Sequence, residues 1–180
     1  IRYVSQPDFV GTEFHISGKY DMEVSNVTYS TASVANYTVM TMLMALRKMK
    51  MIMKRADGWD YSLKDSIGLE LENMTVGVVG TGAIGQKVIK NLSGFDCKIL
   101  AYDPFIKDEI KKYAQYVSLD EIFEKSDILT FHVPATSDTY HIVRKETIDK
   151  MKDNVIIINT ARGSVINTND LIEALEKGKI

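Results

Sequence analysis

Four short apolar runs between residues 75 and 159 constrain the fold more than any other feature of the sequence. They cover residues 75–79, 98–102, 127–133 and 155–159 and show no alternation of apolar and polar side chains. Strands of this kind are buried on both faces, which is typical of a parallel sheet covered by helices. We predict these helices at residues 82–92, 107–114, 119–125, 144–151 and 169–177. The sequence therefore predicts an α/β fold with right-handed crossovers.

The first third of the chain follows a different pattern. Residues 1–5 and 24–29 are short strand candidates, and the segment between them is interrupted by Pro7, Gly11 and Gly18. Residues 33–55 contain no Gly or Pro, and apolar side chains recur there at helical spacing, so we predict one long helix. Its first half is apolar nearly all round and its second half is basic. We expect the first half to be buried and the second half to be solvated.

Composition and charge exclude several classes of protein. The apolar fraction of 45%, the charged fraction of 26% and the net charge of -2 indicate a globular protein without a global attraction for nucleic acid or membranes. The longest apolar stretch, residues 39–46, is shorter than the roughly 18 residues that a membrane span needs. Cys97 is the only cysteine, so an internal disulfide cannot form. We expect a cytoplasmic protein and, because the chain begins with Ile1, a piece of a longer one.

The segment Gly80-Thr-Gly-Ala-Ile-Gly85 lies directly after the first predicted strand and opens the following helix. In this setting Gly80 permits a tight turn, Gly82 lets the backbone approach a pyrophosphate, and Gly85 allows close packing of helix on strand. The next strand ends at Asp103, where a carboxylate would accept hydrogen bonds from an adenosine ribose. The glycines alone are weak evidence, but all these features in register predict a dinucleotide site. The Asp103 carboxylate would repel a 2′-phosphate and therefore favours NAD over NADP.

Two further segments follow the third and fourth strands, His132-Val-Pro-Ala-Thr136 and Asn159-Thr-Ala-Arg-Gly163. Open parallel sheets bind their ligands at these strand ends. Beside a nicotinamide, the guanidinium of Arg162 would suit a substrate with adjacent carboxylate and carbonyl oxygens, although a surface ion pair also accounts for a lone arginine. His132 and His141 are weak candidates for a proton donor. No paired carboxylates and no metal-ligand spacing stand out, so we predict no metal.

In their order and spacing, four segments resemble the NAD-binding domain of the D-isomer-specific 2-hydroxyacid dehydrogenases. They are Val78-Val-Gly-Thr-Gly-Ala-Ile-Gly85, Ala101-Tyr-Asp-Pro104, Leu129-Thr-Phe-His-Val-Pro134 and Ile157-Ile-Asn-Thr-Ala-Arg-Gly163. Residues 26–35 and the helix after them resemble the interdomain helix of the branch that contains D-lactate and vancomycin-resistance dehydrogenases. The resemblance extends from about residue 25 to residue 180.

The resemblance implies a Rossmann-type, doubly wound parallel sheet with a partial second domain at the N-terminus. Residues 1–29 would be a remnant of the substrate domain, residues 30–57 the interdomain helix, and residues 58–180 the NAD-binding domain, truncated at its C-terminus. The family also implies a small 2-oxo or 2-hydroxy acid as substrate. A homodimer would form through the helix at residues 33–55 and the NAD-binding domain.

Roles for individual residues follow from the same resemblance. Arg162 would be the catalytic arginine that binds the carboxylate and carbonyl of the substrate, and Tyr29 would contact the same substrate. NAD would be bound by Gly80, Gly82, Ala83, Ile84, Gly85, Asp103, Val133, Pro134, Thr139, Thr160, Ala161 and Arg162. Among these residues, Ala83 and Ile84 would contact the pyrophosphate, and Thr160 and Ala161 would lie near the nicotinamide ribose.

The sequence departs from the family pattern in the substrate-binding region. Ser30-Thr31 and Asn36 stand where family members usually have Ser-Pro and an acidic residue, and the loop at residues 5–11 lacks the usual arginine. The identity of the substrate therefore stays open. The family's catalytic glutamate and histidine fall beyond residue 180, so we expect the 180-residue chain alone to have no appreciable dehydrogenase activity.

Three functions remain open at this point. The first is an NAD-dependent oxidoreductase similar to D-lactate dehydrogenase. The second is a non-catalytic protein of the same superfamily that senses NAD(H) and binds a protein partner. The third is a methyltransferase that binds S-adenosylmethionine at the glycines, against which the Asp103-Pro104 pair and the Thr160-Ala-Arg-Gly163 segment argue.

Overall fold

The computed structural model describes residues 30–62 and 64–180, and the backbone of residues 3–5 and 23–25. The chain divides into two compact units, Ile1–Thr31 and Ala32–Ile180. In the first unit, β1 (Tyr3–Ser5) and β2 (Glu23–Ser25) form a parallel pair. The strand predicted at residues 1–5 is confirmed for its described part. The strand predicted at residues 24–29 is confirmed at residues 24 and 25, and residues 26–29 lie outside the described residues.

A five-stranded parallel sheet forms the centre of the second unit. Its strands are β3 (Thr75–Val79), β4 (Lys98–Tyr102), β5 (Gln115–Tyr116), β6 (Ile128–Phe131) and β7 (Ile156–Asn159). Their order is β5-β4-β3-β6-β7, and every pairing is parallel. The chain first extends the sheet from β3 to β5 and then returns to place β6 on the other side of β3. The prediction of a doubly wound sheet is confirmed, and its topological switch point lies between β3 and β6.

Helices cover both faces of this sheet. They are α1 (Thr31–Leu46), α2 (Met49–Asp57), α3 (Ala83–Leu92), α4 (Leu119–Lys125), α5 (Lys145–Ile148) and α6 (Thr168–Glu176). Adjacent residues of β6 belong to different hydrophobic clusters, Ile128 with Met42 of α1 and Leu129 with Phe123 of α4. Successive side chains of a strand point to opposite faces, so burial on both faces explains why the strands are apolar throughout.

The prediction of one long helix at residues 33–55 is wrong. The region forms two helices, α1 and α2, which are separated at Arg47 and Lys48. Lys48 adopts a left-handed φ of 52°. The carbonyl oxygen of Leu46, which a continuous helix would use one turn later, accepts the N–H of Leu69 at 3.1 Å. A Cβ at Gly68 would lie 2.5 Å from the same oxygen. The returning chain therefore occupies the position of the next helical turn.

The expected difference between the two halves of this helical region is confirmed. The residues of α1 that are buried are Ala35, Thr38, Val39, Met42 and Leu46, whereas α2 buries none of its residues. Two basic residues, Lys54 and Arg55, lie in the last turn of α2, near the negative end of the helix dipole. Within the described ranges, no helix is long and apolar enough to cross a membrane, and the cytoplasmic location stays a prediction.

The helix predicted at residues 107–114 is wrong. The structure has a 3₁₀ turn at Asp108–Ile110, and the two-residue strand β5, which the sequence did not predict, begins at Gln115. This segment is fixed by tertiary contacts, since Tyr116 pairs with Ala101 of β4. The helix predicted at residues 144–151 shrinks to Lys145–Ile148. The strands predicted at residues 75–79 and 98–102 and the helix at residues 119–125 have their predicted bounds.

Candidate functional site

Four strand ends stand side by side at the carboxyl edge of the sheet. Val79 of β3 lies in register with Tyr102 of β4 on one side and with Phe131 of β6 on the other, and Phe131 pairs with Asn159 of β7. The segments that follow these residues carry the predicted site. Their register therefore places residues 80–85, Asp103, His132 and residues 159–163 along one edge, at the switch point where open parallel sheets bind ligands.

The glycine loop, residues 80–85, is shaped by the absence of side chains. Gly80 has a φ of 95°, and a Cβ there would lie 2.5 Å from the carbonyl oxygen of His132. A Cβ at Gly85 would lie 1.9 Å from the carbonyl oxygen of Gly80. The backbone thus turns sharply after β3 and packs against both the start of α3 and the end of β6. At both positions only glycine fits.

Gly82 differs from the other two glycines because a Cβ there would meet nothing within 4 Å. It precedes Ala83, the first residue of α3, and no side chain caps this end of the helix. The first N–H groups of a helix have no partner within the helix and carry its positive dipole end. Open space in front of such groups fits a pyrophosphate, so the residues present here fit NAD.

Asp103 is held beside the glycine loop by two backbone N–H groups. Its Oδ2 accepts the N–H of Thr81 at 2.6 Å, and its Oδ1 accepts the N–H of Phe105 at 2.8 Å. Each carboxylate oxygen has a second lone pair, so the group is still able to accept hydrogen bonds from ribose hydroxyls. The expected proximity of Asp103 to the glycine loop is therefore seen directly.

Tyr116 supports the same loop and was missed by the sequence analysis. Its hydroxyl donates to Thr81 Oγ1 at 2.9 Å and accepts the N–H of Lys107 at 3.2 Å. This contact depends on the pairing of β5 with β4. A two-residue strand carries no periodic pattern, so no signal in the sequence indicated it.

His132 follows β6, and its backbone carbonyl group packs against Gly80. Its Nε2 lies 3.0 Å from Thr130 Oγ1. Burial lowers the pKa of His132 to about 4, so the imidazole is neutral at pH 7. After it, Thr139 closes a turn that begins at Pro134, because its hydroxyl donates to the Pro134 carbonyl oxygen at 2.5 Å. Val133 packs against the hydrophobic cluster that contains Leu129 and Phe123.

The arginine loop, residues 159–163, is shaped by side chains. Asn159 Nδ2 donates to the carbonyl oxygen of Arg162 at 2.8 Å, and Asn159 Oδ1 accepts the N–H of Ala161 at 3.0 Å. Thr160 Oγ1 lies 3.0 Å from Thr38 Oγ1 of α1. The side chain of Arg162 is exposed, and its Nη1 donates to the carbonyl oxygen of Ala161 at 3.1 Å. A permanently charged group thus stands at the same edge as the glycine loop.

The other candidates lie elsewhere or outside the described residues. Tyr29, the expected substrate contact, lies outside them. His141 has a left-handed φ of 49°, and its ring stacks on Tyr140 with the centroids 3.8 Å apart. In the part of the chain that the structure describes, no group of three or more His, Cys, Asp or Glu side chains could hold a metal ion.

Comparisons with known proteins agree with this geometry. Residues 39–180 match a family described as D-isomer specific 2-hydroxyacid dehydrogenase, NAD binding domain. The aromatic 2-oxoacid reductase of Clostridium sporogenes is 45% identical over 170 residues, which are 93% of this chain and 51% of that protein. The D-lactate dehydrogenase of Lactiplantibacillus pentosus is 40% identical over 161 residues, 88% of this chain and 48% of that protein. The chain thus spans about half the length of these curated relatives.

Solved structures show the same likeness. The D-lactate dehydrogenase from Aquifex aeolicus, complexed with NAD and lactic acid, superposes with a TM-score of 0.90 at 34% identity, covering 100% of this chain and 56% of that one. The apo-structure of D-lactate dehydrogenase from Escherichia coli gives a TM-score of 0.92 at 30% identity, covering 100% of this chain and 59% of that one. Both similarities extend the match from sequence to fold.

Proposed function

Because the chain belongs to the D-isomer specific 2-hydroxyacid dehydrogenase family and carries its NAD-binding domain, we propose that the whole protein transfers a hydride between NAD(H) and a small 2-oxo or 2-hydroxy acid. The observation that carries the proposal is the register of Val79, Phe131 and Asn159. This register brings the glycine loop and the arginine loop to one edge of the sheet. A dinucleotide site and a group for an anionic substrate are thereby neighbours.

NAD would be held chiefly by backbone groups of the chain. We assign the pyrophosphate to Gly82, Ala83 and Ile84, where α3 begins, and the adenosine ribose to Asp103. The remaining part of the cofactor would be enclosed by residues after β6 and β7, namely Val133, Pro134, Thr139, Thr160, Ala161 and Arg162. When bound, NAD(H) supplies or accepts the hydride. The residues of this chain bind the cofactor and orient it.

Arg162 would bind the substrate. Its guanidinium is planar and always charged, so it is able to donate parallel hydrogen bonds to a carboxylate and an adjacent carbonyl oxygen. The same hydrogen bonds would stabilise negative charge that develops on the carbonyl oxygen during reduction. The Asn159 bridge to Arg162 supports this role, because it fixes the backbone from which the side chain extends.

We further propose that residues 1–180 alone do not turn over a substrate. Reduction needs a proton at the carbonyl oxygen, and His132, with a pKa of about 4, is deprotonated at neutral pH. Loss of general acid catalysis typically lowers a rate by about 10²–10⁴-fold. Purified residues 1–180 should therefore oxidise NADH no faster with a 2-oxo acid than their Arg162→Ala variant does. Turnover above that control would assign the proton to a residue within this chain.

The decisive experiment measures NADH oxidation by the full-length protein with pyruvate and with aromatic 2-oxo acids, since relatives bear names for both D-lactate and aromatic substrates. Arg162→Ala should lower kcat/KM by roughly 10²–10⁴-fold. Arg162→Lys keeps the charge but loses the planar fork, so its kcat/KM should lie between those of Arg162→Ala and the wild type. Affinity for NADH should fall much less than kcat/KM in either variant, because the glycine loop and Asp103 are unchanged. Binding of NADH without turnover of any 2-oxo acid by the wild type would favour the sensing function instead.

Cofactor selectivity is tested by calorimetry with NADH and NADPH. The wild type should bind NADH more tightly, because the Asp103 carboxylate repels a 2′-phosphate. Asp103→Ala should weaken NADH binding and reduce the difference in affinity between NADH and NADPH. Asp108→Ala, which removes an exposed carboxylate from the following 3₁₀ turn, is the matched control and should leave both affinities unchanged. Equal affinities in the wild type would contradict the assignment.

A second copy of the protein would cover the apolar face of α1. Tyr37, Met40 and Met44 are 58%, 45% and 38% exposed, and the two methionines line an open groove of ≈ 630 Å³ together with Leu43. Exposed apolar patches of this kind mark protein contacts. In sedimentation experiments on the full-length protein, Met40→Asp should shift a dimer to monomer, whereas Met40→Leu should not. A wild-type monomer would refute the homodimer.

A further inference from the structure

A partly buried side-chain contact joins α1 to the arginine loop. The hydroxyl oxygens of Thr38 and Thr160 lie 3.0 Å apart, although 122 residues separate them in the chain. Thr38 lies two turns into α1 and is fully buried. Buried hydroxyl groups are almost always hydrogen-bonded, because an unsatisfied one is costly. The Thr38 end of the contact is therefore part of the packed core, and the Thr160 end is partly buried.

The direction of this hydrogen bond follows from the second contact of Thr38. Its hydroxyl donates to the carbonyl oxygen of Val34, one turn earlier in α1, at 2.9 Å. A threonine hydroxyl has one proton, so both contacts of Thr38 are hydrogen bonds at the same time only when Thr160 is the donor to Thr38. In that arrangement the hydroxyl of Thr160 donates to Thr38 of α1. The lone pairs of Thr160 Oγ1 are then able to accept a hydrogen bond from a ligand.

Thr160 connects α1 with the loop that carries Arg162. The loop between β7 and the 3₁₀ turn at Gly163–Val165 consists of Thr160, Ala161 and Arg162. Asn159 fixes this loop relative to β7 through its bonds to Ala161 and Arg162. The bond from Thr160 fixes the same loop relative to α1. Two independent attachments therefore determine the backbone from which the guanidinium extends.

We propose that Thr38 is a positioning residue for Arg162: its hydroxyl holds Thr160 and thereby the arginine loop in the orientation that binds the substrate. This inference rests on the proposed function, in which Arg162 binds a 2-oxo acid. Thr38 does not touch the reacting atoms and acts through Thr160. A misplacement of about 1 Å in a catalytic group is enough to lower a rate by about 10²-fold, so a loop attachment of this kind matters for turnover.

The variants that test this proposal are Thr38→Val, Thr38→Ser and Thr41→Val in the full-length protein. Valine has the shape of threonine but lacks the hydroxyl, and serine restores the hydroxyl. Thr41 is the matched control, because its hydroxyl donates to the carbonyl oxygen of Tyr37 at 2.8 Å, one turn earlier in the same helix. Its substitution removes an equivalent bond within α1 and leaves the bond to Thr160 in place.

Steady-state kinetics with NADH and a 2-oxo acid is the first measurement. Thr38→Val should lower kcat/KM by about 10- to 100-fold, with most of the loss in kcat, and should raise the Kd for NADH much less, because the glycine loop and Asp103 keep their positions. Thr38→Ser should recover most of this loss, and Thr41→Val should resemble the wild type. A purely structural role of the hydroxyl would not separate kcat from NADH affinity in this way.

Limited trypsin digestion is the second measurement and does not depend on activity. The exposed bond after Arg162 should be cleaved faster in Thr38→Val, while cleavage after the exposed Lys111 should keep its wild-type rate. Thr160→Val removes the same hydrogen bond from the other side. The double variant should therefore be cleaved no faster than either single variant, even if one of them is too unstable for kinetics.

The two measurements separate the two proposals. If the wild type turns over no 2-oxo acid, the proposed function fails, and digestion alone decides whether Thr38 holds the arginine loop. If Thr38→Val matches Thr41→Val in both kinetics and cleavage after Arg162, the positioning role is overturned. Faster cleavage after both Arg162 and Lys111 would also overturn it, since it would show general destabilisation.

Discussion

The glycine loop and the arginine loop lie at the same edge of the sheet but are held in place in different ways. In the glycine loop, missing side chains allow close backbone contact, and a Cβ at Gly85 would lie 1.9 Å from the Gly80 carbonyl oxygen. In the arginine loop, hydrogen bonds of Asn159 and Thr160 fix the backbone. The first loop therefore tolerates no added atom at Gly80 or Gly85. The second loop instead loses its support when a polar side chain that bonds to it is removed. Substitutions should affect the two loops by different mechanisms and to different extents.

The largest effect is expected for Gly85→Ala. Its Cβ would meet backbone, which is unable to move without displacing both α3 and β3, so the free energy of unfolding should fall by at least about 3 kcal/mol. Gly94→Ala is the matched control, because a Cβ at Gly94 would meet nothing within 4 Å. Urea denaturation of both variants measures the difference. Equal stabilities would show that the glycine loop is not sterically fixed.

A pH effect of similar size should come from His132, against whose carbonyl the glycine loop packs. Its folded pKa of about 4 is below the value of 6.5 for an unperturbed histidine. Between these values the unfolded state binds a proton that the folded state does not, so stability should fall by up to about 3 kcal/mol as the pH drops through this window. Denaturation curves at a series of pH values give the free energy of unfolding as a function of pH. In His132→Gln this function should lose the part of its slope that lies between pH 4 and pH 6.5. An unchanged slope would assign it to other groups.

Gly82→Ala should separate binding from folding within the glycine loop. Gly82 has a φ of −68°, which alanine adopts, and its Cβ would enter open space. Stability should therefore match that of Gly94→Ala. The added methyl group would occupy the space assigned to the pyrophosphate, so NADH affinity should fall by roughly 10- to 100-fold, or about 1.4–2.7 kcal/mol. Unchanged NADH affinity in calorimetry would show that the pyrophosphate binds elsewhere.

The smallest effect is expected in the arginine loop. Asn159→Ala removes one hydrogen bond to Arg162 and one to Ala161, both partly accessible to water, and should destabilise the protein by about 1–2 kcal/mol. Exposed Asn169 on α6 provides the control substitution. Trypsin cleavage after Arg162 should accelerate in Asn159→Ala and not in Asn169→Ala. A loss of stability as large as that of Gly85→Ala would remove the distinction between the two loops.

The same difference explains what the sequence alone could predict. The glycine loop and Asp103 are encoded by a local motif with fixed spacing, and the strands by their uninterrupted apolar character. Arg162 was found because it follows a strand. Its support by Thr38 arises only when α1 packs against the sheet, and that of Thr81 by Tyr116 arises only when β5 pairs with β4. Hydrogen bonds between residues far apart in the chain leave no periodic pattern.

The helical region was predicted correctly in burial and incorrectly in continuity for the same reason. Apolar composition is a local property, and the nearly all-round apolar first half indicated that this half packs against the core. The break at Lys48 is imposed from outside the helix, because Gly68 and Leu69 return to the Leu46 carbonyl oxygen. Residues 47–55 are all good or acceptable helix formers, so propensity gave no reason to end the helix.

The break between α1 and α2 also divides the region into two parts that should open independently. Opening α2 exposes little apolar surface because none of its residues is buried, whereas opening α1 would expose part of the core. Amide hydrogens of residues 49–57 should therefore exchange with solvent through local unfolding, and those in the buried turns of α1 only through global unfolding. The Leu46 carbonyl oxygen marks the boundary between them. Melting of α2 would thus spare the bond between Thr38 and Thr160, and the arginine loop would keep its attachment to α1.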